Sequence, residues 1–206
     1  MYATRSLIRR AAAAATAVTA ALVLAACGQA SDTAGSGHGA GHGGSATPSA
    51  SAGSAAAHNA ADTAFAQGMV PHHRQALEMA SLAATRAESA EVKTLADEIR
   101  KAQDPEITTL SGWLATWGEQ AQGGHAGHSM SGMMTGEEME QLGQKSGRAF
   151  DTAFLQLMVK HHEGAVAMAR TEQTDGAYQP AKDMAASVIA SQSAEITRMN
   201  GLLGTR

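Results

Sequence analysis

Two histidine pairs stand behind methionines at matching places in the chain. The first is Met69-Val70-Pro71-His72-His73 and the second is Met158-Val159-Lys160-His161-His162, offset by 89 residues. A further methionine, Met79 or Met168, follows each pair at the same spacing. Imidazole nitrogen accepts Cu(I), Cu(II) and zinc, and thioether sulfur favours Cu(I). A His and Met set without thiolate therefore points to copper more than to zinc, whose structural sites usually recruit Cys or more carboxylate. A third group lies between the pairs: His125, His128, Met130, Met133 and Met134, with Met139 beyond. It reads either as a Cu(I)-capturing loop or as a plain Gly/Ser/Met connector. Singly, methionines at helical spacing also read as core filler.

The elements that must carry these groups are helices. Aromatic residues are only 3% of the chain, while Ala, Leu, Met, Gln and Glu are abundant, a helix-favouring balance. Four main helices are predicted, at about 61–87, 90–118, 147–172 and 180–203, on helix length and end signals. Asp62 and Asp151 sit near the starts of the first and third, where a carboxylate caps a helix or meets its dipole. Pro180 suits the first turn of the fourth. Thr135 and Glu138 form a capping-box pattern that opens a short helix through Leu142.

At about 100° per residue, Phe65, Met69, His72, His73, Ala76, Met79 and Ala80 share an arc of roughly 120°, the width of a core-facing stripe. Four inward imidazoles in one small bundle are costly to bury unless something occupies them. The second helix of each copy carries its own polar set: Gln103 and Glu106, then Gln192 and Glu195. These lie on otherwise apolar faces and need partners, and the histidines opposite are the nearest candidates. The glutamates either ligate directly or act from one layer out, orienting imidazole N–H groups. Trp113 and Trp117 read as packing at the end of the second helix. Pro71 and Pro105 occur in the first copy only. Pro71 lacks the amide that would donate to the Gln67 carbonyl, and it predicts a kink beside His72 and two unequal copies.

The duplication fixes the architecture. Residues 62–81 match residues 151–170 at 12 of 20 positions without a gap, and Gln103-x-x-Glu106-Ile107-Thr108 aligns with Gln192-x-x-Glu195-Ile196-Thr197 at the same offset. Two tandem helical hairpins most simply dock as an all-α four-helix bundle with pseudo-two-fold symmetry over 58–206. Repeat 1 covers about 60–118, a Met/His-rich connector 119–146, and repeat 2 about 147–204.

The N-terminal part reads as address rather than fold. Arg5, Arg9 and Arg10 precede an apolar run to Ala26, too short for a spanning helix, and together they form a signal peptide over 1–26. Leu24-Ala25-Ala26-Cys27 reads as a bacterial lipobox, with Cys27 the lipidated residue and the cell membrane its partner. Each buried CH₂ of a lipid chain contributes about 0.8 kcal/mol. Residues 27–57 form a Gly/Ser/Ala tether with a span of roughly 30 Å. His38, His42 and His58 lie in or beside it; they read as spacer residues or weak metal scavengers. Losing the three signal arginines leaves 12 basic against 19 acidic residues, a formal charge of −7, which speaks against a nucleic-acid partner. With Cys27 the only cysteine, no disulfide forms in the mature chain. No nucleophile triad or phosphate loop is present, so hydrolysis and nucleotide chemistry have no support.

The repeated Asp-x-x-Phe-x-x-x-Met-Val-x-His-His-x-x-Ala-x-x-Met-Ala, with Gln-x-x-Glu-Ile after it, resembles the domain of unknown function 305 family, whose copper-linked members are termed CopM-like. The similarity covers about 60–204. It implies a ferritin-like bundle, export, and copper handling at Met69, His72, His73, Met79 and their counterparts Met158, His161, His162 and Met168. The expected role is copper buffering or delivery without turnover, with an unidentified donor or acceptor protein. Two alternatives stay open. One is a di-metal oxidase or peroxidase, though such bundles use Glu-x-x-His motifs and this chain has none. The other is a metal-free interaction module.

Overall fold

The computed structural model describes residues 57–120 and 131–204. The signal segment, nearly all of the tether, Cys27, His125, His128 and Met130 lie outside the described residues. Five helices follow in order: α1 (Ala60–Arg86), α2 (Ala90–Trp117), α3 (Gly136–Gln144), α4 (Gly147–Asp175) and α5 (Gln179–Gly204). All are α-helices, as the composition predicts.

Local chemistry explains the helix ends. Asn59 caps α1: its side chain accepts from the Ala61 and Asp62 amides, and the Asp62 carboxylate accepts from the Asn59 amide at 2.6 Å. Ser89 caps α2, which ends at Gly118 in the left-handed region, φ 75°, where glycine avoids the Cβ strain. Thr135 and Glu138 close the predicted capping box on α3.

Pro71 and Pro105 sit inside α1 and α2, and both helices run on through them as the predicted bounds require. Proline costs a helical hydrogen bond, but Met69, Val70, His72 and His73 around Pro71 are fully buried. Their packing outweighs the lost bond, since helices in proteins draw most of their stability from tertiary burial. One expectation is corrected: Asp151 does not cap its own helix. It lies past the first turn of α4, beyond the free amides, and accepts instead from Glu88 and Ser89 at 3.1 and 3.0 Å, at the start of α2. Asp62 does the same across the molecule, accepting from Ala177 and Tyr178 before α5. The two aspartates and their targets are related by the same offset as the sequence repeat. Each copy thus clamps the turn of the other.

Helices α1 and α4 form the central pair, with α2 packed on α1, α5 on α4, and α3 touching both central helices. All seven residues of the predicted stripe are buried. The apolar core falls into two clusters. One gathers Met79, Ile99, Phe150, Phe154, Met158 and Met199, and the other Phe65, Met69, Leu110, Leu114 and Val188. Along α1 and α4 the histidines lie between them. Among the described residues, no helix is long and apolar enough to cross a membrane.

Candidate metal centre

His72, His73, His161 and His162 are each fully buried. The two copies meet here: the His72 and His161 rings lie with centroids 3.7 Å apart, tilted by 40°. The outer pair turns the other way. His73 Nε2 lies 2.7 Å from Glu106 Oε2, and His162 Nε2 lies 2.6 Å from Glu195 Oε2. A carboxylate only accepts, so each of these nitrogens donates. Neither Nδ1 has a hydrogen-bond partner.

His72 is fixed by backbone. Its Nε2 donates to the Ser131 carbonyl at 3.3 Å, which leaves its Nδ1 as the free acceptor, again without a partner. Neither ring nitrogen of His161 makes a well-formed hydrogen bond. Buried polar atoms are nearly always satisfied, and orphans call for an explanation such as an ion. Here four buried rings leave five orphan nitrogens.

The electrostatics keep the inner rings neutral. Burial does most to hold His72 down at about 3, and His73 adds to it. His161 is driven well below the ordinary imidazole range, first by burial and then by His72, His162 and His73. Neutral imidazole is the metal-binding form, so these rings need lose no proton to take an ion.

The methionines divide between the clusters on either side. Met69, Met79 and Met158 are fully buried, and Met168 is partly buried. Met79 and Met158 share one cluster, Met69 and Met168 the other. Among the described residues, no three His, Asp, Glu or Cys groups converge closely enough to hold an ion. In this arrangement the His72 and His161 rings occupy the centre themselves, so a bound ion requires them to part. The unpartnered nitrogens fit a soft or borderline metal; their present spacing is that of a closed site.

The expected partnership of the polar residues holds for the glutamates only. Gln103 and Gln192 are buried, but their side-chain oxygens take no hydrogen bond. The glutamates reach the imidazoles first. Of the connector group, Met134 is buried in the core beside Met79 and Met133 is half-buried. Trp113 and Trp117 pack with Tyr178 at the end of α2, ring centroids 5.4 Å from it in both cases. The sequence reading missed Ser131, because a backbone carbonyl has no signature in side-chain pattern. The one available signal was a mismatch between the copies, Gln75 against Gly164, beside the histidines.

The model of the domain of unknown function DUF305 matches residues 62–203. No curated protein matches the chain. A DUF305 protein of Streptomyces coelicolor, described as secreted, is similar at 34% identity and a TM-score of 0.66, over 70% of this chain and 93% of that one. CopM in a Cu(I)-bound form is similar at 30% identity and a TM-score of 0.60, and CopM in a Cu(II)-bound form at 33% and 0.62. Both cover 70% of this chain and 96% of theirs. The shared helical architecture and a family match spanning both histidine pairs lead to one conclusion: the protein belongs to the DUF305 family.

Proposed function

We propose that this is an extracytoplasmic copper-binding protein, which holds copper between the two histidine pairs and buffers it or passes it to another protein without turnover. The observation that carries the reading is the buried set of four imidazoles whose Nδ1 atoms have no partner. Similar proteins crystallised with Cu(I) and Cu(II) support the choice of metal, as does the chemistry of a His and Met set without thiolate. The donors are His72, His73, His161 and His162, with Met69, Met79, Met158 and Met168 as flanking thioethers. Glu106 and Glu195 orient the outer rings. A lipid on Cys27 holds the protein at the membrane, in keeping with a similar protein described as secreted.

One arrangement favours a metal-free module instead: the rings touch, and among the described residues no three His, Cys, Asp or Glu groups converge. Cu(I) titration against a colorimetric chelator separates the two. The wild type should bind with a Kd below about 1 μM, or roughly −8 kcal/mol. The His72→Ala/His73→Ala variant should lose at least about tenfold, or 1.4 kcal/mol. Undiminished binding in that variant rules out these ligands, and no binding by the wild type favours the module.

A further inference from the structure

The two copies differ where the connector lands. Position 75 is Gln and its counterpart 164 is Gly. The Gln75 side chain spends both ends of its amide on one residue's backbone: Nε2 donates to the Met134 carbonyl at 2.9 Å, and Oε1 accepts from the Met134 amide at 2.7 Å. On the opposite side there is no room for a side chain. A Cβ at Gly164 would lie 2.0 Å from the Ser131 carbonyl oxygen. Gly132 takes a left-handed φ of 82°, and a Cβ there would lie 2.7 Å from the Lys160 carbonyl. Residues 131–134 therefore form a strap between α1 and α4, pressed onto the His72 ring and the His161 backbone. Lys160, which replaces Pro71 in the second copy, pairs with Glu138 at 2.9 Å and fastens the helix that follows.

The strap touches only one of the two inner rings through a hydrogen bond. His72 has Nε2 committed to Ser131, whereas neither nitrogen of His161 makes a well-formed hydrogen bond, the His72 backbone alone lending it a weak one. Two rings related by the repeat are thus made chemically different. We propose that Gln75 is a positioning residue for this centre: by seating the Ser131–Met134 strap it sets Nδ1 as the donor atom of His72 and slows exchange of a soft metal ion with solvent. The exchange half of this rests on the reading of the centre as a copper site. The tautomer half does not.

The test uses the full chain and silver ion as a redox-inert probe for Cu(I). Gln75→Leu keeps the bulk and removes both hydrogen bonds. Amide exchange at Met134 should then speed up while α2 and α5 keep their protection. The ¹⁵N signals of His72 should move from a fixed Nε2–H tautomer to a mixture. Silver release to a competing chelator should quicken about tenfold, the low end for loss of an outer support of a metal site. Gly164→Ala should do the same from the other side, while Gln75→Glu, which keeps the acceptor for the Met134 amide, should fall between. An unchanged His72 tautomer with a loosened strap overturns the proposal, as does unchanged strap exchange in Gln75→Leu. If the wild type takes up neither silver nor copper, the copper reading fails and the His72 tautomer alone decides the role of Gln75.

Discussion

His73 and His162 each give one nitrogen to a glutamate and keep the other free. That division of labour is the smallest functional unit in the molecule. The carboxylate fixes which nitrogen holds the proton, which ring face points inward, and how basic the remaining lone pair is. Glu106→Gln preserves an acceptor and should keep the ring in place. Glu106→Leu removes it and strands a buried N–H, which costs about 1–3 kcal/mol of stability. The same change should weaken copper binding by about 10- to 100-fold. Urea denaturation and chelator competition on both variants check this; a Leu variant matching the Gln variant in both assays leaves Glu106 no orienting role. The pairing was legible in the sequence because both members recur at one offset on inward faces. The silent glutamines were not, since Gln103 lies on the same face as Glu106 and pattern alone cannot rank two partners for one ring.

At the scale of elements, the helices were readable because their ends carry side-chain signals: the box at Thr135 and Glu138, and the proline early in α5. What pattern could not show is that Asp62 and Asp151 act at a distance. Each carboxylate reaches the turn of the opposite hairpin, and nothing local to 151 names residues 88 and 89. Duplication could have shown it only with the docking already known. These clamps join hairpins that share few other polar contacts, so their removal should tell on the whole domain. Asp151→Ala frees two amides from charge-assisted bonds, each worth about 1.5–3 kcal/mol. The expected loss is about 2–4 kcal/mol by urea denaturation, after partial recovery by water. Asp97→Ala is the control. Asp97 pairs with Lys101 on an exposed face, and its loss should stay within about 0.5 kcal/mol. Equal effects for the two variants would show that Asp151 clamps nothing.

At the scale of the whole molecule, burial of titrating groups sets a stability optimum. Glu172 is 1% exposed, its carboxyl tucked under Gly176, where a Cβ would lie 2.2 Å from Oε1. The counterparts of Glu172 and Gly176 in the first copy are Ala83 and Ala87. No N–H reaches the Glu172 oxygens. Burial first, then the nearby Asp62, push this carboxyl up to about 8, against the pull of Lys182. Two carboxylates meet here only if one keeps its proton, and Glu172 keeps it. Burial works against Asp62 as well, but the amides of Asn59, Tyr178 and Ala177 and the Glu172 carboxyl hold it below the ordinary range. Glu172 binds a proton more tightly folded than unfolded. Its contribution is complete below its ordinary value of 4.5 and drains away as pH climbs to about 8. His72 runs the other way, from 6.5 when unfolded to about 3 when folded. It stabilises the fold above 6.5 and withdraws that support as pH falls, and His161 follows in the same direction. Below 6.5 two histidines outweigh one glutamate, and above it the glutamate acts alone. The metal-free protein should therefore be most stable near pH 6.5, where the histidine contribution becomes complete. Each uncompensated proton gives a slope of about 1.4 kcal/mol per pH unit on either side. Glu172→Gln, which cannot ionise, should level the alkaline arm and leave the acid arm steep. Urea midpoints of both proteins across this range measure it. A wild type that keeps gaining stability from 6.5 to 8, or a Gln variant with an undiminished alkaline slope, would show that Glu172 enters the core already ionised.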